Sequence, residues 1–205
     1  MANKIKFGLS NVHVLFIESY DVNTKKYTFD EEGIQPVPGA VNLSLDPQGE
    51  LYEFFADNIN YSSGSTNAGY QGDLEIAIIP DWLRKKALGE VVDENGVQLE
   101  SADAVQKEFV MFFELDGDKS KRRFVLYRNT ISRPAIKGQT TEKTKTPQTD
   151  SITLTTMARE NDHFVKGFID SDNVEKKDIY DKWYTEMHEP KFTQTAQASG
   201  TESSS

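Results

Sequence analysis

The run Phe109-Val-Met-Phe-Phe-Glu-Leu-Asp-Gly-Asp118, followed by the apolar stretch Arg122 to Ile131, decides the fold class. Phe109, Met111, Phe113 and Leu115 recur with period two, the spacing that puts side chains on one face of an extended strand. The run breaks at Asp116-Gly117-Asp118, and the next is rich in Phe, Val, Leu and Tyr. Two such runs around a turn of Asp, Gly and Lys predict a β-hairpin. The same signature recurs on both sides. Val41, Leu43 and Leu45 alternate with Ala40, Asn42 and Ser44, and Leu74, Ile76 and Ile78 alternate with Glu75 and Ala77. Ile152, Leu154 and Thr156 repeat the pattern, Phe164 to Ile169 adds a further candidate, and Asp93-Glu-Asn-Gly96 supplies another tight turn. Several short strands divided by turns predict a mainly β chain (α+β) built as a sandwich or barrel.

Two helices are expected beside the strands. Asp81 is placed to cap a short one through Ala87, with Leu83, Ala87 and Leu88 on its buried face and Gly89 as its stop. A longer one is predicted from about 174 to 187. There Asp172 is the cap, with Glu175 three residues on, and Ile179, Trp183 and Met187 lie at i, i+4 and i+8, widened by Tyr180 and Tyr184. Three polar segments read as loose: 57–72, rich in Asn, Ser and Gly with Tyr61 and Tyr70 as its large side chains; 137–150, dominated by Thr, Lys and Gln; and the Ser/Thr-rich end from 191 to 205. The last is expected to be disordered, the other two mobile, and residues 1–190 are expected to form one domain.

Composition narrows function. With 205 residues, 37% hydrophobic and 27% charged, the chain can bury one substantial core. It has no cysteine, which rules out disulfides and thiolate metal sites. Two early lysines without an apolar run behind them predict no signal peptide, and no segment approaches the ~18–20 apolar residues of a spanning helix. A net charge of −10 argues against gripping nucleic acid, which needs clustered Lys and Arg.

Catalytic and metal signatures are missing. His13, His163 and His188 share no ligand spacing. Asp170-Ser-Asp-Asn173 begins like a calcium loop, but Glu175 stands where the sharp turn needs Gly. No glycine loop precedes a Lys-Ser or Lys-Thr pair, so a nucleotide site lacks its backbone donors. No catalytic residue, cofactor or metal is assigned.

Three stretches, in order, add a likeness: Lys4-Ile-Lys-Phe-Gly-Leu-Ser-Asn-Val-His13, Glu53-Phe-Phe-Ala-Asp-Asn58, and Ile78-Ile-Pro-Asp-Trp-Leu83 running on to Leu88-Gly89. Phe112-Phe-Glu-Leu-Asp-Gly-Asp118 and Val125-Leu-Tyr-Arg-Asn-Thr-Ile-Ser-Arg-Pro134 continue it, over roughly residues 3 to 170. Together they resemble the major tail tube protein of long-tailed, non-contractile bacteriophages. The resemblance implies a β-sandwich subunit flanked by a helix, assembled into stacked hexameric rings through which phage DNA passes without specific binding. It implies a place in the virion, after synthesis and assembly in the host bacterial cytoplasm. It also implies tape-measure, tail-tip and tail-terminator proteins as partners, and no membrane insertion. An N-terminal arm (residues 1–10) and a long loop would bridge adjacent rings. Carried onto this chain, Lys4, Lys6, Phe7 and Leu9 are the arm contacts and Tyr61 and Tyr70 the loop anchors. A virion binding module (a baseplate, decoration or glycan-binding protein) and a small hydrolase are the rival readings.

Overall fold

The computed structural model describes residues 8–117, 120–136, 138, 140, 148–172 and 176–192. The chain is mainly β. In order it forms β1 (Leu9–Asp21), β2 (Lys26–Phe29), β3 (Gln35–Pro36), β4 (Ala40–Gln48), β5 (Leu51–Ala56), β6 (Ile59–Ser65) and β7 (Gly69–Ile76). Helix α1 (Asp81–Leu88) follows, then β8 (Val91–Val92), β9 (Gln98–Leu99), β10 (Phe109–Leu115), β11 (Arg123–Ile131), β12 (Asp150–Met157), β13 (Lys166–Ile169) and helix α2 (Lys177–Asp181).

Nine strands make one antiparallel sheet in the order β2-β1-β10-β11-β12-β7-β4, with β13 also on β11 and β3 also on β1. The deciding stretch lies at its middle. Phe109 through Phe113 are all buried, because β10 is covered on both faces. Phe109, Met111 and Phe113 enter one core with Val14 and Phe16 of β1, Leu74 and Ile76 of β7, Leu154 of β12 and Leu83 of α1. Val110 and Phe112 enter a second core with Leu15, Val125, Tyr127 and Trp183.

The predicted β10–β11 hairpin is present, with one irregularity the alternation does not announce. Phe109 faces Asn129 while Met111 faces Leu126, so β11 bulges between them. The fully buried Asn129 fills the gap. Its amide donates to the carbonyls of Phe109 (2.9 Å) and Leu126 (2.8 Å) and accepts from the Thr156 hydroxyl at 2.7 Å.

Four expectations need correction. Val41 and Ile78 were placed on buried faces, yet both are exposed. The β4–β7 ladder slips between Ala40 and Asn42, and that one-residue change reverses the phase before Leu43. Strand β7 ends at Ile76, and past the bend Ile79 is buried instead. Asp81 is not the helix cap: it is the first residue of α1, Pro80 occupies the cap position, and no side chain caps the helix. Gly89 does stop it, in the left-handed conformation (φ 72°).

The longer helix is a single short α2, with Val174 and Glu175 outside the described residues. Lys176, not Asp172, occupies its cap position. The cause of the early end is visible at Tyr180. Its carbonyl accepts from the Arg123 guanidinium and from the Trp183 amide (3.2 Å), a three-residue turn in place of the α-helical bond. The apolar stripe survives the change: Ile179, Trp183, Tyr184 and Met187 still cover the second core. Finally, 57–72 is not a loop but the turn that closes β5–β6, the whole of β6 and the start of β7. Of 137–150, only residues 138, 140 and 148–150 are described.

Candidate self-assembly surface

Strands β4 and β7 pair from Ala40↔Ile76 to Gln48↔Gly69, and the pairing does not stop there. The Ala68 amide donates to Gln48 O and the Thr66 amide to Glu50 O, both at 2.9 Å, and the Glu50 amide donates to the Thr66 hydroxyl. These bonds carry the ladder into a second ribbon, β5–β6, with Leu51↔Ser65 at its base and Ala56↔Ile59 at its tip. Asp57 and Asn58 close it, both at positive φ (50° and 61°), the pairing of angles that a two-residue turn matched to strand twist requires. Six paired positions along the ribbon make a projection about 20 Å long.

The ribbon has aromatic side chains and nothing of its own to cover them. Leu51 (84%), Phe54 (60%), Phe55 (60%), Ile59 (62%) and Tyr61 (72%) are exposed. Tyr52 lies flat over Gly64, where an added Cβ would stand 2.5 Å from its hydroxyl oxygen. Phe54 and Tyr61 meet edge to face, with centroids 6.5 Å apart. Ser62, Ser63, Gly64 and Ser65, which face β5, are too small to bury Phe54, and Tyr61 falls at the bulge of β6 with no residue opposite it in the ladder. A two-stranded ribbon is marginal alone in water, and a contiguous exposed apolar surface marks a place of contact.

Charge sharpens the picture. No Lys, Arg or His occurs from 27 to 83, while that stretch contains ten Asp and Glu. Ten equals the whole surplus of the chain, so its other 23 acidic residues balance its 23 Lys and Arg. The ribbon itself carries Glu53 and Asp57.

The residues singled out from sequence fare unevenly. Tyr61 is on the ribbon. Tyr70 is not: it is half-buried in β7 between β4 and β12, with the Lys166 ammonium 4.6 Å from its ring centroid. Leu9 opens β1 opposite Leu115 and packs against the first core. Tyr70 and Leu115, the register partner of Leu9, line the same groove of about 260 Å³. Lys4, Lys6 and Phe7 lie outside the described residues. Leu51, Tyr52, Phe54, Phe55 and Ile59, exposed on the same ribbon, are not among the residues the sequence singled out. Their signal was Leu51-Tyr-Glu-Phe-Phe-Ala56, which is apolar on both faces and ends in a two-residue turn, with only Ser and Gly opposite Leu51 to Phe54.

Polar groups elsewhere hold the fold. Arg159, 2% exposed, pairs with Asp162 and with Glu189 (2.8 Å) and lies over the Tyr127 ring. Glu90 accepts from Arg84 (2.9 Å) and Gln98. Burial acts to raise its carboxyl, yet those bonds hold it below the usual carboxylate range. Burial, then the bond to Glu114, pushes the Tyr184 hydroxyl far above the ordinary phenol value. His13 stacks on Tyr184 and His188 on Trp183. Among the described residues no three His, Asp or Glu side chains are grouped to hold a metal, and no helix is long and apolar enough to cross a membrane.

Comparison with protein-family models and with curated proteins finds no match to this chain.

Proposed function

We propose that this chain is a structural virion protein, the repeating subunit of the tail tube of a long-tailed, non-contractile bacteriophage. Six copies close a ring by heterologous contacts, in which one face meets a different face of the neighbour, and rings stack by contacts that do not close. The observation that carries the proposal is the β5–β6 ribbon: a projection with aromatic side chains on a subunit that does not cover them, and so an element completed by another copy. The order of the quoted sequence stretches points to the same protein class. The nine-stranded sheet, two of whose distant strands (β1 and β7) share one core, supports a β-sandwich subunit. The surplus of carboxylates suits a conduit, since an anionic bore releases DNA phosphates where a cationic one would hold them. Tape-measure, tail-tip and tail-terminator proteins are the partners this role requires.

Electron microscopy of the concentrated protein, alone and with a tail-tip seed, tests the reading. Hollow tubes of uniform diameter are the expected product. A particle that stays monomeric under both conditions and binds a glycan array overturns it in favour of a binding module.

A further inference from the structure

Resting on the tube reading, we infer that the β5–β6 ribbon of one copy seats in the groove between β13 and the segment following α2 on a second copy. That groove has a volume of about 380 Å³, within the range of sites that enclose small ligands. Its apolar part is Phe168, Ile179 and Trp183, and Phe168 is 57% exposed in the isolated subunit. Its rim carries the cations of Lys176 and Lys191, and its described lining includes no carboxylate. The ribbon is the converse surface: Phe54 and Tyr61 meet on one face as apolar knobs while Phe55 projects from the other, Glu53 and Asp57 are its charges, and no cation occurs anywhere from 27 to 83. Aromatic side chains gain by leaving water for an apolar slot, while opposite charges at the rim set orientation and speed encounter.

The ribbon cannot meet its own groove. It continues the β4–β7 ladder, whereas β13 pairs with β11, separated from β7 by β12, and among the described elements β5 and β6 pack principally on each other. A second copy must therefore supply one of the two surfaces. Two different patches in contact propagate from copy to copy, as a ring or a stack demands. A stable interface needs about 800 Å² from each partner, so the groove is one contact among several in the assembly.

The chain has no native cysteine, which allows a direct test. Glu53→Cys in one preparation and Lys176→Cys in another are mixed under assembling conditions and oxidised; disulfide-linked pairs are expected in the mixture and not in either preparation alone. In parallel, Lys176→Glu with Lys191→Glu should raise the concentration at which tubes appear about tenfold or more with an unchanged melting temperature. Adding Glu53→Lys and Asp57→Lys to that variant should restore assembly. Wild-type tubes together with a rim-reversed variant that polymerises equally well overturn the ribbon-to-groove contact and leave the tube reading standing. Mixed disulfides from a protein that never forms tubes support the contact and overturn the tube.

Discussion

Replacing Phe54 and Phe55 together by serine separates folding from assembly. Both rings are 60% exposed in the subunit, so the free protein loses little when they go. The two-fifths of each ring already covered is close to what a compact unfolded chain hides as well, so the change costs the subunit only about 0.5 kcal/mol, a melting shift of at most about 2 °C for a chain this size. In the proposed polymer the same rings would be buried. Taking a phenylalanine fully from water contributes about 2.5 kcal/mol, and three-fifths of that is still available at each position, or about 1.5 kcal/mol. Two rings, one on each face of the ribbon, then supply about 3 kcal/mol per subunit added when both faces are covered, roughly a hundredfold in the association constant. Light scattering against protein concentration, with calorimetry on the same sample, reads both numbers. The variant should melt like wild type and need about a hundredfold more protein to polymerise. Polymerisation at the wild-type concentration refutes the role of the ribbon. So does a melting temperature lower by more than about 5 °C, since the rings would then be supporting the subunit itself.

Other substitutions probe the framework. Asn129→Ala strips hydrogen bonds from two buried carbonyls and the Thr156 hydroxyl, and should cost about 3 kcal/mol and about 9 °C in melting temperature; a drop under 2 °C would show the bulge tolerates the loss. Gly72→Ala places a Cβ 1.8 Å from the Ser44 carbonyl, so β4 and β7 must part, and hydrogen exchange of the β4 amides should quicken while β10 stays protected. On acidification, Asp30, held low first by its hydrogen bond from Lys86, and Glu90 lose their charge later in the folded protein than in the unfolded one. Their stabilisation is present above the ordinary carboxylate pKa of about 4 and is lost as pH falls through the lower folded values. Glu90→Gln should flatten the fall of melting temperature below pH 5, and an unchanged slope would remove Glu90 from the account.

The central strands were legible because burial on one or both faces writes itself directly into the order of apolar residues. Phe109 to Leu115 and Ile152 to Thr156 needed only the pleat. Reading failed where one residue shifted the phase, at the Ala40–Asn42 slip and past Ile76, since a bulge has no composition of its own. It failed again at Tyr180, where a distant arginine took a carbonyl that local spacing assigns to the helix. The ribbon was misread for a different reason. Ser62, Ser63, Gly64 and Ser65 resemble a loop when judged by sequence, because both strands of the ribbon are exposed in the subunit and no burial pattern marks them as strand. For the same cause Tyr61 was found and Phe54 was not: tyrosine in a polar run draws notice, whereas a pair of phenylalanines passes for core.

Residues 40–76, which form one edge of the sheet and the ribbon beyond it, carry six Asp and Glu and no cation, so that edge of the subunit is its anionic pole. Copies drifting together in dilute buffer will turn so that the anionic ladder of one leads toward the neutral or cationic flank of the next, and like flanks will be held apart. Added salt shortens that guidance to a few ångströms. The same particle should therefore nucleate more slowly in strong electrolyte even where its finished polymer is no less stable.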